Sequence, residues 1–394
     1  MSNFQCPISN EGIFYVLKIA KRYRHWTLGI RHWKLGILLI TVFCILAVSA
    51  YSSDLFDPSD VGIGARPLAM GRAFVGVSNN GSAIFTNPAG LALSKNFKIV
   101  SMAGNLMSEV PYQMLGWSAP LFNGNCGVGY VRLNVSGISE YILVGITPEA
   151  TGGESSFSNS VLNLSYATDW QDIPVINNFK AKAFRDAKIG GSLKFINQEY
   201  LGSSSFKTGN VSGFDVNLGV ISSINENLAA GLMFKNIIPG KNLSSDELPL
   251  ISTLGFCAKF PWYGLLTALD LEVSRTVLYH LGFEWTPIRF LSIRCGFDQK
   301  PDANQSITNF TGGIGINTGK VAFDYAYHTY SDVAEFSTHY FSLSYSGDEN
   351  FLFKTANQSK TSSEVVQEKP ARRNVVYKPI IVPSLEAPQL NKEK

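Results

Sequence analysis

The sequence is poor in charge, in cysteine and in long apolar runs, and each shortage removes a class of protein. Only 16% of its 394 residues are Asp, Glu, Lys or Arg, against roughly 25% in an ordinary soluble domain. Disorder goes with high charge and few aromatics, and 12% of these residues are aromatic, so most of the chain is folded. A nucleic-acid binder needs a concentrated basic patch, and the formal charge here is only +3. A helical membrane protein needs several apolar runs of about 18 residues or more; this chain has one sustained run, Leu35–Ala50. Of the five cysteines, Cys6 and Cys44 fall in the first fifty residues, and Cys126, Cys257 and Cys295 are far apart without CxxC or CxxH spacing. They form neither a disulfide framework nor a metal site and read as small apolar fillers on strands. There is no GxSxG, HExxH or P-loop, and beyond residue 50 the only histidines are His280, His328 and His339. Nothing nominates an enzyme or a cofactor site. What is plentiful is glycine, serine, asparagine and aromatics, the makings of a large β protein, either soluble or set in an outer membrane.

The apolar run comes after a basic stretch, Lys18, Lys21, Arg22, Arg24, Arg31 and Lys34, and ends on Val48-Ser49-Ala50. A positive n-region, a short apolar core and small residues at its end predict a secretory signal peptide over 1–50, cleaved before Tyr51. The competing reading is an uncleaved inner-membrane anchor, for which the run is short. Thr-Val-Phe precedes Cys44, which is not a lipobox. Six basic residues against Glu11 in this segment outweigh the charge of the entire chain, so residues 51–394 are slightly acidic.

Residues 51–97 are punctuated by Gly62, Gly64, Gly71, Gly76, Gly81 and Gly90, with a strong turn signal at Asn87-Pro88-Ala89-Gly90. They predict a compact segment of turns and short helices. From Lys98 the period becomes two. Val321, Phe323, Tyr325 and Tyr327 alternate with Ala322, Asp324, Ala326 and His328, and Leu291, Ile293, Cys295 and Phe297 with Ser292, Arg294, Gly296 and Asp298. Such alternation puts one set on an apolar face and the other on a polar face. Fourteen or fifteen such segments span 98–346, the weakest being 139–146. Their spacing suits strands of about 9–11 residues, the length that crosses an outer membrane at a tilt. Asn225-Glu226-Asn227, Trp285-Thr286-Pro287 and Thr318-Gly319-Lys320 read as tight turns; 147–158, 169–186, 198–211, 238–249 and 299–306 read as long polar loops. Short turns at one end and long loops at the other form the outer-membrane pattern.

The polar face carries Lys194, Asp215, Asp270, Glu272, Glu284, Arg294, Asp298, Asp324 and His328. A soluble sandwich or propeller packs both faces of most sheets and has little room for so many charges. A barrel lumen takes them, wet or paired with one another. Trp117, Tyr166, Trp262, Tyr263, Trp285, Tyr325 and Tyr345 suit interfacial girdles. The prediction is an all-β fold, an antiparallel transmembrane barrel of about fourteen strands over 98–347, with outer-membrane lipid around it. Residues 348–394 contain four prolines and no glycine and predict a polar, disordered periplasmic tail. Within the tail, Val375 to Pro383 reads as an idle linker or a short docking motif.

The run Gly64-Ala65-Arg66-Pro67-Leu68-Ala69-Met70-Gly71-Arg72-Ala73-Phe74-Val75-Gly76-Val77, followed by Ser82-Ala83-Ile84-Phe85-Thr86-Asn87-Pro88-Ala89-Gly90-Leu91-Ala92, resembles the PorV/PorQ branch of FadL-like outer-membrane proteins. The resemblance continues through Ile189-Gly190-Gly191, Gly213-Phe214-Asp215, Leu281-Gly282-Phe283-Glu284-Trp285, Cys295-Gly296-Phe297 and Asp324-Tyr325, and covers about residues 60–346. It implies a fourteen-stranded barrel whose N-terminal segment folds inward as a hatch, with Gly64, Arg66, Met70, Gly71, Phe74, Asn87, Pro88, Ala89 and Gly90 as its motif. Arg72 departs from the pattern, standing where a second glycine is common, and is expected to affect hatch packing at most.

A hatch of Gly-rich turns either gates a lumen, because glycine permits backbone change at little steric cost, or is a static plug. Asn87 is expected to offer amide hydrogen bonds to the wall. His328 and Asp324 lie about 13 Å apart along a strand, too far for a dyad, so a lumen-facing hydrogen bond is the expected role of His328. Two functions compete. By resemblance to FadL, the barrel passively admits hydrophobic small molecules, and an apolar pocket behind the hatch is expected. By resemblance to PorV, it is a shuttle of type IX secretion that carries exported cargo to a surface-attachment complex, with secretion-system proteins as partners.

Overall fold

In a computed structural model, described for residues 57–106, 109–173, 186–203, 208–238, 248–274, 276–301, 306–330 and 337–349, the alternating segments form a wall. The signal segment and all but the first two residues of the predicted tail lie outside the described residues. Fourteen strands are arranged in sequence order and close into a barrel. They are β1 (Asn96–Leu106), β2 (Val110–Leu121), β3 (Gly124–Val144), β4 (Thr147–Asp169), β5 (Ala187–Leu201), β6 (Gly209–Ser223) and β7 (Leu228–Lys235), then β8 (Ile251–Phe260), β9 (Leu265–Val273), β10 (Val277–Ile288), β11 (Leu291–Pro301), β12 (Ser306–Asn317), β13 (Val321–Thr329) and β14 (Ser337–Glu349). Closure is the antiparallel pairing of β1 with β14, from Lys98↔Ser346 to Gly104↔Tyr340. It leaves no sheet edge without a partner, as lipid requires of a spanning structure.

The outward set is large and apolar: Leu193 and Phe195 on β5, Phe214 and Leu218 on β6, Ile314 and Ile316 on β12, and Phe341 and Leu343 on β14 are all exposed. A continuous apolar exterior of this kind is lipid-facing surface. No helix among the described residues is long and apolar enough to cross a membrane. On β3–β6 the apolar face ends at one level. Tyr130, Leu162, Phe195 and Phe214 stand side by side in register, and the next row on the same face is Arg132, Ser160, Asn197 and Ser212.

Because the strands alternate in direction, turns after even-numbered strands share one end of the barrel, here the lower, and turns after odd-numbered strands share the upper. Trp262, Tyr263, Phe122 and Phe290 protrude from lower turns, with Trp262 95% exposed, as an interfacial girdle would. Four of the five predicted long loops lie at the upper end; 169–186, between β4 and β5, lies at the lower, so the separation of loop lengths is incomplete. Several loops are shorter than the sequence suggests. Residues 139–144 continue β3 and 147–158 belong to β4, a hairpin closed at Gly145-Ile146 that projects beyond the apolar band. There β4 is mostly polar on both faces, while the tip of β3 runs Tyr141-Ile142-Leu143-Val144, all exposed, so the ladder persists while the period of two disappears. Trp285-Thr286-Pro287 is likewise the end of β10, and the turn falls at Arg289-Phe290.

Residues 57–94 run inside the wall. A 3-10 helix at Pro58–Val61, α1 (Ala65–Ala69), α2 (Ala83–Thr86) and a second 3-10 helix at Pro88–Leu93 are joined by turns. Asp57 and Asn87 cap the two 3-10 helices, accepting from the Ser59 and Ala89 amides at 2.8 and 3.2 Å. A proline follows each cap at the first helical position, where its missing N–H costs nothing. Leu68, Met70, Phe74 and Ile84 have no exposure at all. The hatch is therefore the core of the molecule, and the barrel is its shell.

Candidate functional site

Where hatch and wall meet, the contact has two chemically different sides. Across β14 and β1–β4, together with Ala326 of β13, the side chains are mostly apolar: Ala65, Leu68, Ala83, Ile84 and Leu91 of the hatch pack with Val100, Met102, Met114, Val131 and Tyr340 of the wall. Buried hydrogen bonds cross this side too, from the Ala65 amide to Ser342, from Tyr112 to the Pro58 and Gly62 carbonyls, from Asn125 to the Leu91 carbonyl and from Ser165 to the Ile84 carbonyl. The expectation of a uniformly polar inner face is corrected there. Across β5–β13 the contact is largely made by charge. A smaller apolar patch, in which Met70 and Phe74 meet Cys257 and Ala268, sits among the ion pairs, so Cys257 is a buried filler.

The charged side is a series of latches from hatch to wall. Lys194 of β5 donates to Asp57 at 2.8 Å, with both side chains 1% exposed, and also to Asn236. Burial alone would raise the Asp57 carboxyl, but the charge of Lys194 and hydrogen bonds from Lys194 and Ser59 hold it below the usual range. Lys235 of β7 contacts Asp60 at 3.1 Å; burial pushes that carboxyl up, only partly offset by Lys235. Asp270 of β9 accepts the Phe74 and Val75 amides, each at 2.8 Å. Arg66 makes a bidentate pair with Glu284 of β10, 2.7 Å from Nε and 2.8 Å from the second nitrogen. Arg294 of β11 joins Glu284, at 2.6 Å, to Asp324 of β13, at 2.7 Å. Asp298, fully buried, lies 3.0 Å from His280 Nδ1, 2.9 Å from His328 Nε2 and 3.5 Å from Arg72. Glu272 stands 3.9 Å from the other nitrogen of His280. Asp215 accepts from the neighbouring Val216 amide and from the Ile238 amide beyond the end of β7.

The hatch motif is held mainly through its backbone. Gly64 precedes α1 at φ +89° and Gly71 turns the chain at φ +60°. The Gly71 amide donates to Thr311 at 2.9 Å, and Asn87 donates to Val75 and to Val220 of the wall at 3.0 and 3.2 Å. Glycines of the wall answer this backbone. A Cβ on Gly282 or Gly231 would stand 2.4 Å from the Met70 or Val75 carbonyl, and on Gly190 2.4 Å from the Ala89 amide beside Pro88. On Gly90 it would meet the Ser78 carbonyl at 1.9 Å. Glycine at the interface thus gives close approach, a packing role.

Alternation had put Lys194, Asp270, Glu272, Glu284, Arg294, Asp298, Asp324 and His328 on one face, and the structure brings them to the hatch. Sequence reasoning missed Asp57, Asp60, Lys235 and His280. The signal for His280 was there, since it alternates with Glu284 on β10. Arg72 does more than perturb packing. It adopts φ +63°, the left-handed region, which explains why glycine suits this position, and its guanidinium is spent on Asp298. Between the hatch and β7–β10 lies a cavity of about 50 Å3 with a mixed lining, in which Ile63, Val75 and Phe85 stand beside Arg72, Asp270 and Glu272. That is room for a few waters, too little for the solute pocket expected behind the hatch.

No protein-family model matches the sequence, and no curated protein matches it. Solved structures do. The chain is similar to a deltaS2 mutant of the TodX monoaromatic hydrocarbon channel, with TM-score 0.52 and 14% identity, covering 75% of this chain and 100% of that one. A deltaS2S3 mutant of TodX gives 0.50 and 14%, covering 74% and 99%. The toluene transporter TodX of Pseudomonas putida gives 0.49 and 14%, covering 72% and 98%. The first two likenesses show that the fold is FadL-like.

Proposed function

We propose that this chain sits in the outer membrane and lets hydrophobic small molecules cross passively, along the apolar seam between the hatch and β14 and β1–β4. The single observation that carries this reading is the sidedness of the interface. An apolar solute entering the seam meets mostly apolar side chains and a few neutral hydrogen bonds, while the ion-paired latches on β5–β13 keep their partners. The fold shared with monoaromatic hydrocarbon channels supports it. Kinship with the PorV/PorQ branch rests on the motif of residues 64–92. Co-purification with secretion components, and cargo held in the periplasm when the gene is deleted, would favour a shuttle role instead.

A crosslink tests the route. An ideal Cβ on Gly81 of the hatch lies 3.9 Å from the Lys98 Cβ on β1, within the disulfide range. Val100 crowds the same point, so the variant is Gly81→Cys/Lys98→Cys/Val100→Ala. In proteoliposomes, uptake of labelled toluene is expected to fall on oxidation and to return on reduction. Equal uptake in both states would count against a path along this seam.

A further inference from the structure

The outer wall changes chemistry abruptly across β3–β6, and an open groove of about 600 Å3 lies on that boundary. Its floor is apolar: Tyr130, Leu162, Phe195 and Phe214 stand side by side in register, each more than a third exposed. Its rim is the row two residues further up, Ser160, Asn197 and Ser212, about 7 Å along the strands. Arg132 of β3 completes that row, paired in register with Ser160 on one side and with Gln113 of β2 on the other. The Arg132 side chain is exposed, and its Nε donates to the Ser158 hydroxyl at 3.3 Å, which holds the guanidinium over β4 above the rim. Among the described residues Arg132 has no ion-pair partner; Glu199, one row higher and opposite Ser158, forms none with it. The rest of the rim is neutral, so the groove carries one uncompensated positive charge at the edge of an apolar belt.

We propose that this groove binds a phosphate-bearing lipid, with the phosphate on Arg132 and its polar neighbours Ser160 and Asn197, and an acyl chain along Leu162, Phe195 and Phe214. In a bilayer the phosphates lie where the hydrocarbon ends, and the wall puts its change of chemistry and its cation at that same level. A phosphate oxygen accepts from a guanidinium in charge-assisted hydrogen bonds, about twice as strong as neutral ones, and the planar fork can engage two oxygens at once. A zwitterionic headgroup brings a cation of its own that Arg132 repels, so an anionic lipid is preferred. The preference is modest, because the pair is exposed to water and salt screens it. The site rests on the membrane placement of the barrel and is independent of what crosses along the seam.

Phe195→Trp puts a reporter in the floor of the groove, and Ile314→Trp puts one on the exposed face of β12. Quenching of each added tryptophan, taken against the parent chain, is measured in nanodiscs that hold dibrominated phosphatidic acid or dibrominated phosphatidylcholine at equal mole fraction. Phosphatidic acid is expected to be favoured at Phe195→Trp over Ile314→Trp by about two- to fivefold, the range of an exposed charge pair. Arg132→Gln in the Phe195→Trp chain is expected to abolish that preference, and Arg132→Lys, which keeps the charge and loses the fork, to retain part of it. Equal preference at the two reporters, or a preference that survives Arg132→Gln, would mean bulk lipid only and overturns the site. A chain that stays out of the bilayer overturns the membrane placement as well, so the two failures are told apart.

Discussion

The Asp57–Lys194 pair offers the sharpest test of how the hatch is held. Its charges are 2.8 Å apart and both side chains are 1% exposed. Removing one partner of such a pair strands the other in a low-dielectric site, at a cost of about 3–5 kcal/mol. Asp57→Asn keeps a side-chain acceptor for the Ser59 amide, since Asn caps as well as Asp, so the loss it reports is that of the charge. Lys194→Met keeps most of the aliphatic volume. If the first turn of the hatch opens locally, either single change raises its opening constant by roughly a hundredfold to several thousandfold, at 1.4 kcal/mol per tenfold. Hydrogen exchange of the amides from Val61 to Leu68 reads this directly. The double variant leaves no buried charge and is expected to recover most of the protection, giving a coupling energy of opposite sign to the single effects. Exchange unchanged in both single variants, or a double variant equal to their sum, would refute the idea that this pair anchors the hatch.

The carboxylates at the start of the hatch should also respond to pH in opposite directions. Asp57 is held below the ordinary aspartate range, so its contribution is full above about pH 4 and is lost as pH falls through its lowered value. Asp60 is pushed up, so protonation favours the folded state as pH falls through its raised value. Melting temperatures between about pH 3 and 7 should therefore fall less steeply on acidification for Asp57→Asn than for wild type, and more steeply for Asp60→Asn; parallel curves for all three would contradict both assignments. Gly231→Val puts carbon where the Val75 carbonyl lies 2.4 Å away, and the backbone there cannot yield without moving the hatch. Single-channel recordings are expected to show ion conductance in this variant and none in wild type, and a silent variant would show that the wall gives way first.

Much of the shell was legible because lipid imposes its own period. Phe195 and Phe214 on neighbouring strands, like Ile314 and Phe323, are apolar because they face hydrocarbon, and alternation reveals them one strand at a time. Val100, Met102 and Met114 defeat the same rule, since they face a hatch that is itself apolar on that side. Beyond the apolar band the β3–β4 hairpin loses the period of two, so 139–146 gave only a weak strand signal and 147–158, the start of β4, was read as loop. Individual latches were invisible for a different reason. Asp57 meets Lys194 across 137 residues, and no local pattern encodes a partner at that separation. Arg72 could be seen to break a motif, but only its φ of +63° and its reach to Asp298 show what the exception does.

The division of the interface also constrains how the hatch can move. Ion pairs and buried hydrogen bonds are directional, and parting any one of those on β5–β13 leaves a desolvated group unmatched. Apolar contact is non-directional and roughly proportional to area, at about 25 cal/mol per Å2. Opening the seam along β1–β4 parts apolar contact, which an apolar molecule in the gap offsets, and a few neutral hydrogen bonds, whereas opening the latched side also separates buried charges, which nothing apolar offsets. On the proposed route, selection for apolar solutes needs no specific binding pocket, because an apolar solute offsets the separation of Ile84 and Leu68 from Val100 and Met114, whereas a polar one would face mostly methyl and methylene groups on both sides.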